Sequence, residues 1–273
     1  MSEQESTRAV GRSEGAYASY RERVDLDDLG GEAADHLARY AFATHWVSGQ
    51  TVADVCCGLG YGTNLLAAAG ARKVYGVDSS SAAVGEARCR YGSPRIEFIR
   101  ADVTVDLPLP VVEIVICFEG IEHVHAPEKL LGNAVRRLAA DGVALISTPN
   151  ASAFKGGHSG NPYHITEYAR QEFEELLSRY FKRVKMFFQW SFDAPYDFTW
   201  GLREVVRLAT PVSLKHVVRT RLLGNRREGE NATERKGLGA AMKWRPYPAS
   251  YLQLPGLRVE PRTWLAVCGG PKK

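Results

Sequence analysis

The sequence predicts an α/β fold, a mostly parallel sheet of seven strands with helices on both faces. Three observations predict it. Short apolar runs alternate with segments of helical period, as in repeated βαβ units. The first run empties into a glycine-rich turn that opens a helix. The last run stands about seventy residues beyond the sixth, so a large insertion separates two strands that a short connection could join.

The elements follow in order. Residues 27–47 read as a helix ahead of the first strand. TVADVCC (51–57), KVYGVD (73–78), RIEFIRAD (95–102), VVEIVICF (111–118) and GVALIST (142–148) read as five strands of the central sheet. Helical spacing fills 61–69, 80–91 and 127–139, with Ser80 or Ser81 and the Ala126-Pro127 step as helix starts. A helix over 166–179, a sixth strand over 183–189 and a seventh over 262–270 complete the pattern. The expected organisation is an N-terminal helical segment (1–47), a core (48–189 and 261–273) and a basic cap with helical character (190–260).

Composition narrows the setting. With 45% hydrophobic and 24% charged residues, the 273-residue chain can bury a full core. Neither a signal-peptide core in the first fifteen residues nor an apolar run of membrane-spanning length is found, so a cytoplasmic location is expected. Five cysteines form no CxxC pattern, and Cys56, Cys57, Cys117 and Cys268 lie in apolar runs. The net charge is +4, but residues 201–245 hold eleven Lys/Arg against four Glu. The basic excess is therefore local.

The chemistry starts at D54-V-C-C-G58-L-G60-Y-G62. A strand that ends in glycines and opens a helix lets backbone approach a ligand at the helix N-terminus. Sixteen residues after Gly62, Asp78 ends the second strand, where its carboxylate either accepts from ribose hydroxyls or caps the helix that follows. Asp102, after the third strand, either reads an adenine amino group or is an ordinary loop acid.

In order, DVCCGLGYG, VYGVDSS, RADV, ICFEGIEHV and ISTPN resemble the successive motifs of class I S-adenosylmethionine methyltransferases, over about residues 32–189. The resemblance implies a Rossmann-like sheet, S-adenosylmethionine as cofactor and methyl transfer as activity. DHLARYAF (35–42) and NPYHITEY (161–168) are similar to bacterial members acting on sugars, glycans and natural products such as antibiotics. By resemblance, Asp54, Gly58, Gly60 and Gly62 surround the methionine part, Asp78 holds the ribose, and Asp102 with Val103 the adenine, with Cys56 and Ser79 as further cofactor-binding residues. Phe118 and Glu119 close the cofactor site, and His36 and Arg39 approach the cofactor carboxylate. Cys56 stands where the family usually has glycine, and Glu113 where it has aspartate.

A second constellation follows the fourth strand: Glu119, Glu122 and His123, with His164 downstream. In a helical turn, i, i+3 and i+4 share one face, and two carboxylates and an imidazole would converge. Such donors with room for water suit Mg²⁺ or Mn²⁺. ExxEH with a later histidine is similar to the metal site of small-RNA 2′-O-methyltransferases and ubiquinone-pathway O-methyltransferases. Alternatively, Glu122 and His123 only brace strand ends, and His164 or His123 is a metal-free base. His125 and His158 are lesser candidates.

The basic insertion reads as a cap with a solvated face, as a contact for an anionic acceptor, or as a membrane- or RNA-binding surface, with nucleic acid the weakest of these. The aromatics Trp190, Phe192, Tyr196, Phe198 and Trp200 open a substrate pocket or join the core. The expected function is O-methylation of a small polar acceptor, such as a sugar, nucleoside or glycosylated natural product, assisted by Mg²⁺ or Mn²⁺. Metal-independent N-methylation of an amine and a non-catalytic partner subunit are the alternatives. The expected partner is the small-molecule acceptor, and an oligomer is compatible with the sequence.

Overall fold

A computed structural model describes residues 31–154, 156–189, 245–246 and 262–273. In chain order these are α1 (Gly31–Val47), β1 (Thr51–Val55), α2 (Tyr61–Ala68), β2 (Lys73–Asp78), α3 (Ser81–Tyr91), β3 (Ile96–Arg100) and β4 (Val112–Phe118). A 3-10 turn (Ile121–His123) leads to α4 (Pro127–Arg137), β5 (Leu138–Pro149), α5 (Arg170–Ser178), β6 (Phe181–Gln189), β7 (Arg245–Pro246) and β8 (Thr263–Pro271).

Eight strands form one sheet in the order β3-β2-β1-β4-β5-β8-β6-β7. The seven expected strands are all there, and β7 adds a two-residue pairing with Phe187 and Phe188 at the edge. β1 to β5 pair in parallel, whereas β8 runs antiparallel between β5 and β6. The remainder of the expected cap, its basic run and aromatics, lies outside the described residues.

The pleat sorts each strand onto two faces. Val52, Ile114, Ile116 and Leu145 meet the apolar sides of α1, α2 and α3, including Leu37, Ala43, Leu66 and Val84. Their neighbours Ala53, Val115, Cys117, Ala144 and Ile146 meet α4 and α5 through Leu130, Leu131, Phe173 and Leu177. Both faces are covered, which is why these strands read as continuous apolar runs. Cys57, Cys117 and Cys268 are buried free thiols within these layers.

Boundaries shift where side chains compete with the pattern. β5 begins at Leu138, four residues before its expected start, and a register shift between Val112 and Ile114 accommodates the extra length. α5 begins at Arg170 rather than Thr166, because Ile165 N–H is committed to Glu122 C=O (2.8 Å) and Glu172 caps the Ala169 N–H (2.9 Å). Glu113 accepts from Thr51 N–H (2.6 Å) and pairs with Arg72 (3.1 Å), bracing the start of β1. Among the described residues, no helix is long and apolar enough to cross a membrane.

Candidate active site

Strand order reverses between β1 and β4, and in open α/β sheets the crevice at the carboxyl ends of the strands at such a point receives ligands. A cavity of about 920 Å³ lies there. Cys56, Gly58 and Tyr61 form one wall, Asp78, Ser79, Asp102 and Val103 a second, and Phe118 and Glu119 a third. His36, Arg39 and Tyr40 enter it from α1, one helical turn apart, while His123, His125 and His164 come from the loops beyond β4 and β5.

Asp78 does two things at once. Its Oδ2 accepts the Gly58 N–H (3.0 Å) and its Oδ1 the Ser80 N–H (2.9 Å), so the carboxylate ties the glycine loop to the start of α3 while lining the cavity. Asp102 lines it too, with Oδ1 held by the N–H and hydroxyl of Thr104 (2.8 and 2.7 Å). These bonds from Thr104 hold the Asp102 carboxyl below its ordinary range. Beside it, Val103 is buried, and its carbonyl accepts from Asn133 (2.7 Å).

Three expected cofactor residues serve the loop from behind instead. Asp54 is fully buried and absent from the cavity wall, clamped by the Tyr40 hydroxyl (3.0 Å) and the Thr63 hydroxyl (2.6 Å). Burial pushes its carboxyl up to about 7, against the downward pull of those two hydrogen bonds. Gly60 and Gly62 are also off the wall: a Cβ at Gly60 would meet Phe98 at 2.6 Å, and one at Gly62 would meet Tyr40 at 1.9 Å. Both glycines let α2 pack closely. Cys56 takes φ +61°, a left-handed conformation that glycine adopts most readily.

Glu119 also has positive φ, +49°, and this breaks the helical turn that would have aligned it with Glu122 and His123. Its N–H donates to Ser147 Oγ (3.1 Å), whose hydroxyl returns a bond to Glu119 Oε1 (2.7 Å), and its Oε2 lies 4.0 Å from Arg39. Arg39 is buried, with Nη1 donating to Gln189 Oε1 (2.8 Å) and Nε without a hydrogen-bond partner among the described residues. Beside it the half-buried His36 is held well below the ordinary imidazole range, first by burial and then by the charges of Arg39 and His123.

The group that does converge is Glu122, His123 and His164, with potential ligand atoms within 4.8 Å of one another; Glu119 stands outside it. Glu122 is fully buried, and among the described residues neither carboxylate oxygen has a hydrogen-bond partner. Burial, then the Glu119 charge, pushes its carboxyl well above the ordinary range. His123 Nε2 lies 3.9 Å from Glu122 Oε1, and the two imidazoles meet edge to face at 4.9 Å.

Residue 167, which the sequence did not single out, completes the cluster. Glu167 Oε1 lies 2.5 Å from His164 Nδ1, and its Oε2 accepts the Ser159 N–H (2.8 Å). Burial would raise the Glu167 carboxyl, but the bonds from Ser159 and His164 outweigh it and hold the group below its ordinary value. His158 is an exposed loop residue whose Nδ1 accepts the Gly160 N–H (3.0 Å).

Residues 20–221 match the profile of a family described as a methyltransferase domain. The chain belongs to that family. A probable S-adenosylmethionine-dependent methyltransferase of Mycolicibacterium smegmatis is 38% identical over 146 residues, 52% of this chain and 55% of the relative. Another of that description, from Mycobacterium tuberculosis, is 35% identical over 154 residues, with the same two shares. The methyltransferase domain here thus spans about half the length of the curated relatives it matches. Its fold is similar to a solved structure of a Haloferax volcanii methyltransferase in complex with the Trm112 activator, with TM-score 0.58 at 18% identity over 96% of this chain and 100% of that one.

Proposed function

We propose that this methyltransferase domain transfers a methyl group from S-adenosylmethionine to a hydroxyl of a small polar acceptor, with a divalent cation at Glu122, His123 and His164. Sugars, nucleosides and glycosylated natural products are the acceptors whose vicinal hydroxyls suit such a centre. The observation that carries the reading is Glu122, a buried carboxylate whose two oxygens have no hydrogen-bond partner among the described residues, beside two imidazoles. Leaving a carboxylate in that state is costly unless a ligand or proton answers it.

Gly58, Asp78 and Asp102 offer the cavity a close backbone approach and two carboxylates, a fitting set for an adenosyl group. Arg39 and His36 stand where a carboxylate would enter, with the Arg39 Nε still to be satisfied. S-adenosylmethionine supplies an electrophilic methyl group on its sulfonium. A divalent cation supplies a lowered pKa for the acceptor hydroxyl. Two imidazoles and one carboxylate are a nitrogen-rich set, which favours Mn²⁺ over the oxygen-seeking Mg²⁺. In the metal-free arrangement His164 Nε2, which accepts a hydrogen bond from Asn161, can instead take the hydroxyl proton as oxygen bonds to the methyl carbon and the sulfonium bond breaks.

A second reading rests on the Glu167–His164 pair, which is equally a metal-free base for an amine or hydroxyl. Calorimetric titration of Mn²⁺ into protein saturated with S-adenosylhomocysteine separates the two. Metal assistance predicts one saturable site, weakened at least tenfold by Glu122→Gln, and methyl transfer abolished by chelator. Transfer indifferent to chelator, with no Mn²⁺ binding, would leave the histidine base.

A further inference from the structure

We infer that Glu167 is a positioning residue that locks His164 as the Nδ1–H tautomer and so turns its Nε2 lone pair toward the reacting centre. The inference rests on the proposed reading for what Nε2 then does, but not for the tautomer itself.

Two independent sets of contacts converge on the same ring. On the Nδ1 side, Glu167 Oε1 lies at 2.5 Å, and the same carboxylate collects the N–H and the hydroxyl of Ser159. A carboxylate already receiving those donors acts as an acceptor, so Nδ1 is the nitrogen that carries hydrogen. On the Nε2 side, Asn161 Nδ2 lies at 3.0 Å. The orientation of that amide is set elsewhere, because Asn161 Oδ1 accepts the Tyr163 N–H (2.9 Å). Asn161 therefore presents its NH₂ group to His164, and Nε2 must be the acceptor.

His123 repeats the arrangement with a weaker partner. Its Nδ1 lies 3.1 Å from the Tyr163 carbonyl, which can only accept, so Nδ1 again carries hydrogen, and Nε2 lies on the side of Glu122. Both histidines of the trio are thus tautomer-locked from behind, one by a carbonyl and one by a charged carboxylate. A carboxylate behind an imidazole raises the basicity of the far nitrogen and fixes the ring plane, whether that nitrogen meets a cation or a proton. Asn161 holds the His164 Nε2 lone pair in the absence of a ligand and has to release it when one arrives.

The test reads the tautomer directly in the metal-free 273-residue chain, by long-range ¹H–¹⁵N NMR of ¹⁵N-histidine-labelled wild type at a pH where His164 is neutral. The expected result is a protonated Nδ1 and a lone-pair Nε2. In Glu167→Gln that signature shifts toward a tautomer mixture, and Mn²⁺ affinity drops 10- to 100-fold, while S-adenosylhomocysteine affinity stays within threefold. His164 in the Nε2–H form in wild type would overturn the assignment, as would an unchanged tautomer and unchanged Mn²⁺ affinity in Glu167→Gln. If wild type binds no Mn²⁺ but Glu167→Gln still loses the Nδ1–H signature, the positioning role stands and the metal reading fails. A folding defect in the variant does not touch the wild-type spectrum, which decides the tautomer by itself.

Discussion

Asp54 sits at the end of β1 with its carboxylate shared between Tyr40 and Thr63, and burial raises it to about 7. Because the folded value exceeds the unfolded one, the folded state binds more protons between about pH 4 and pH 7. Stability contributed by this group is therefore complete below about pH 4, falls as pH rises to about 7 and stays flat above. Melting temperature measured from pH 4 to 8 in wild type and Asp54→Asn should show a decline in wild type that the variant lacks. Parallel curves would place the titration elsewhere. The motif residues were legible in the sequence as a set, but the duties within the set were not. The pattern D-x-x-x-G-x-G-x-G looks the same whether a glycine faces a ligand or a tyrosine ring. Only packing separates Gly58 on the wall from Gly60 and Gly62 behind it. Glu119 illustrates the other limit: nothing in its residue type announces a positive φ, so helical spacing grouped it with Glu122 and His123 when the backbone turns it toward Ser147.

Elements rather than single residues bring the cavity together. α1 reaches β6 through a buried polar contact, Arg39 to Gln189 at the end of β6, with Gln189 Nε2 donating back to the Asp35 carbonyl (3.1 Å), beside the packing of Phe42 on Phe187. Removing the Gln189 side chain leaves a guanidinium N–H buried without its acceptor. Gln189→Ala should cost about 1–3 kcal/mol in urea denaturation and weaken S-adenosylhomocysteine binding, because Arg39 and His36 share the wall that α1 contributes. An unchanged midpoint would mean that α1 is held by its apolar face alone. The long apolar and helical runs made these elements easy to read, and β2 falls where the sequence puts it, over residues 73–78. The late start of α5 was hidden because residues 161–168 spend their backbone on Glu122 and their side chains on His164. That commitment is made between distant segments, and helical periodicity carries no trace of it.

At the scale of the whole molecule, a sheet whose order reverses between β1 and β4 opens a cavity, and Asp78, Asp102, His123 and His164 line it from beyond the ends of different strands. The order and spacing of the sequence motifs foretold this layout, since each motif ends a parallel strand on the same edge. We propose the cavity as the cofactor site, with Asp78 joining Gly58 to the start of α3. The most direct measurement is calorimetric titration of S-adenosylhomocysteine into wild type and Asp78→Asn, with melting curves to check the fold. The account predicts one site in wild type, weakened at least tenfold in the variant, about 1.4 kcal/mol of binding free energy. Absence of binding in folded wild type, or equal affinity in folded Asp78→Asn, would contradict it.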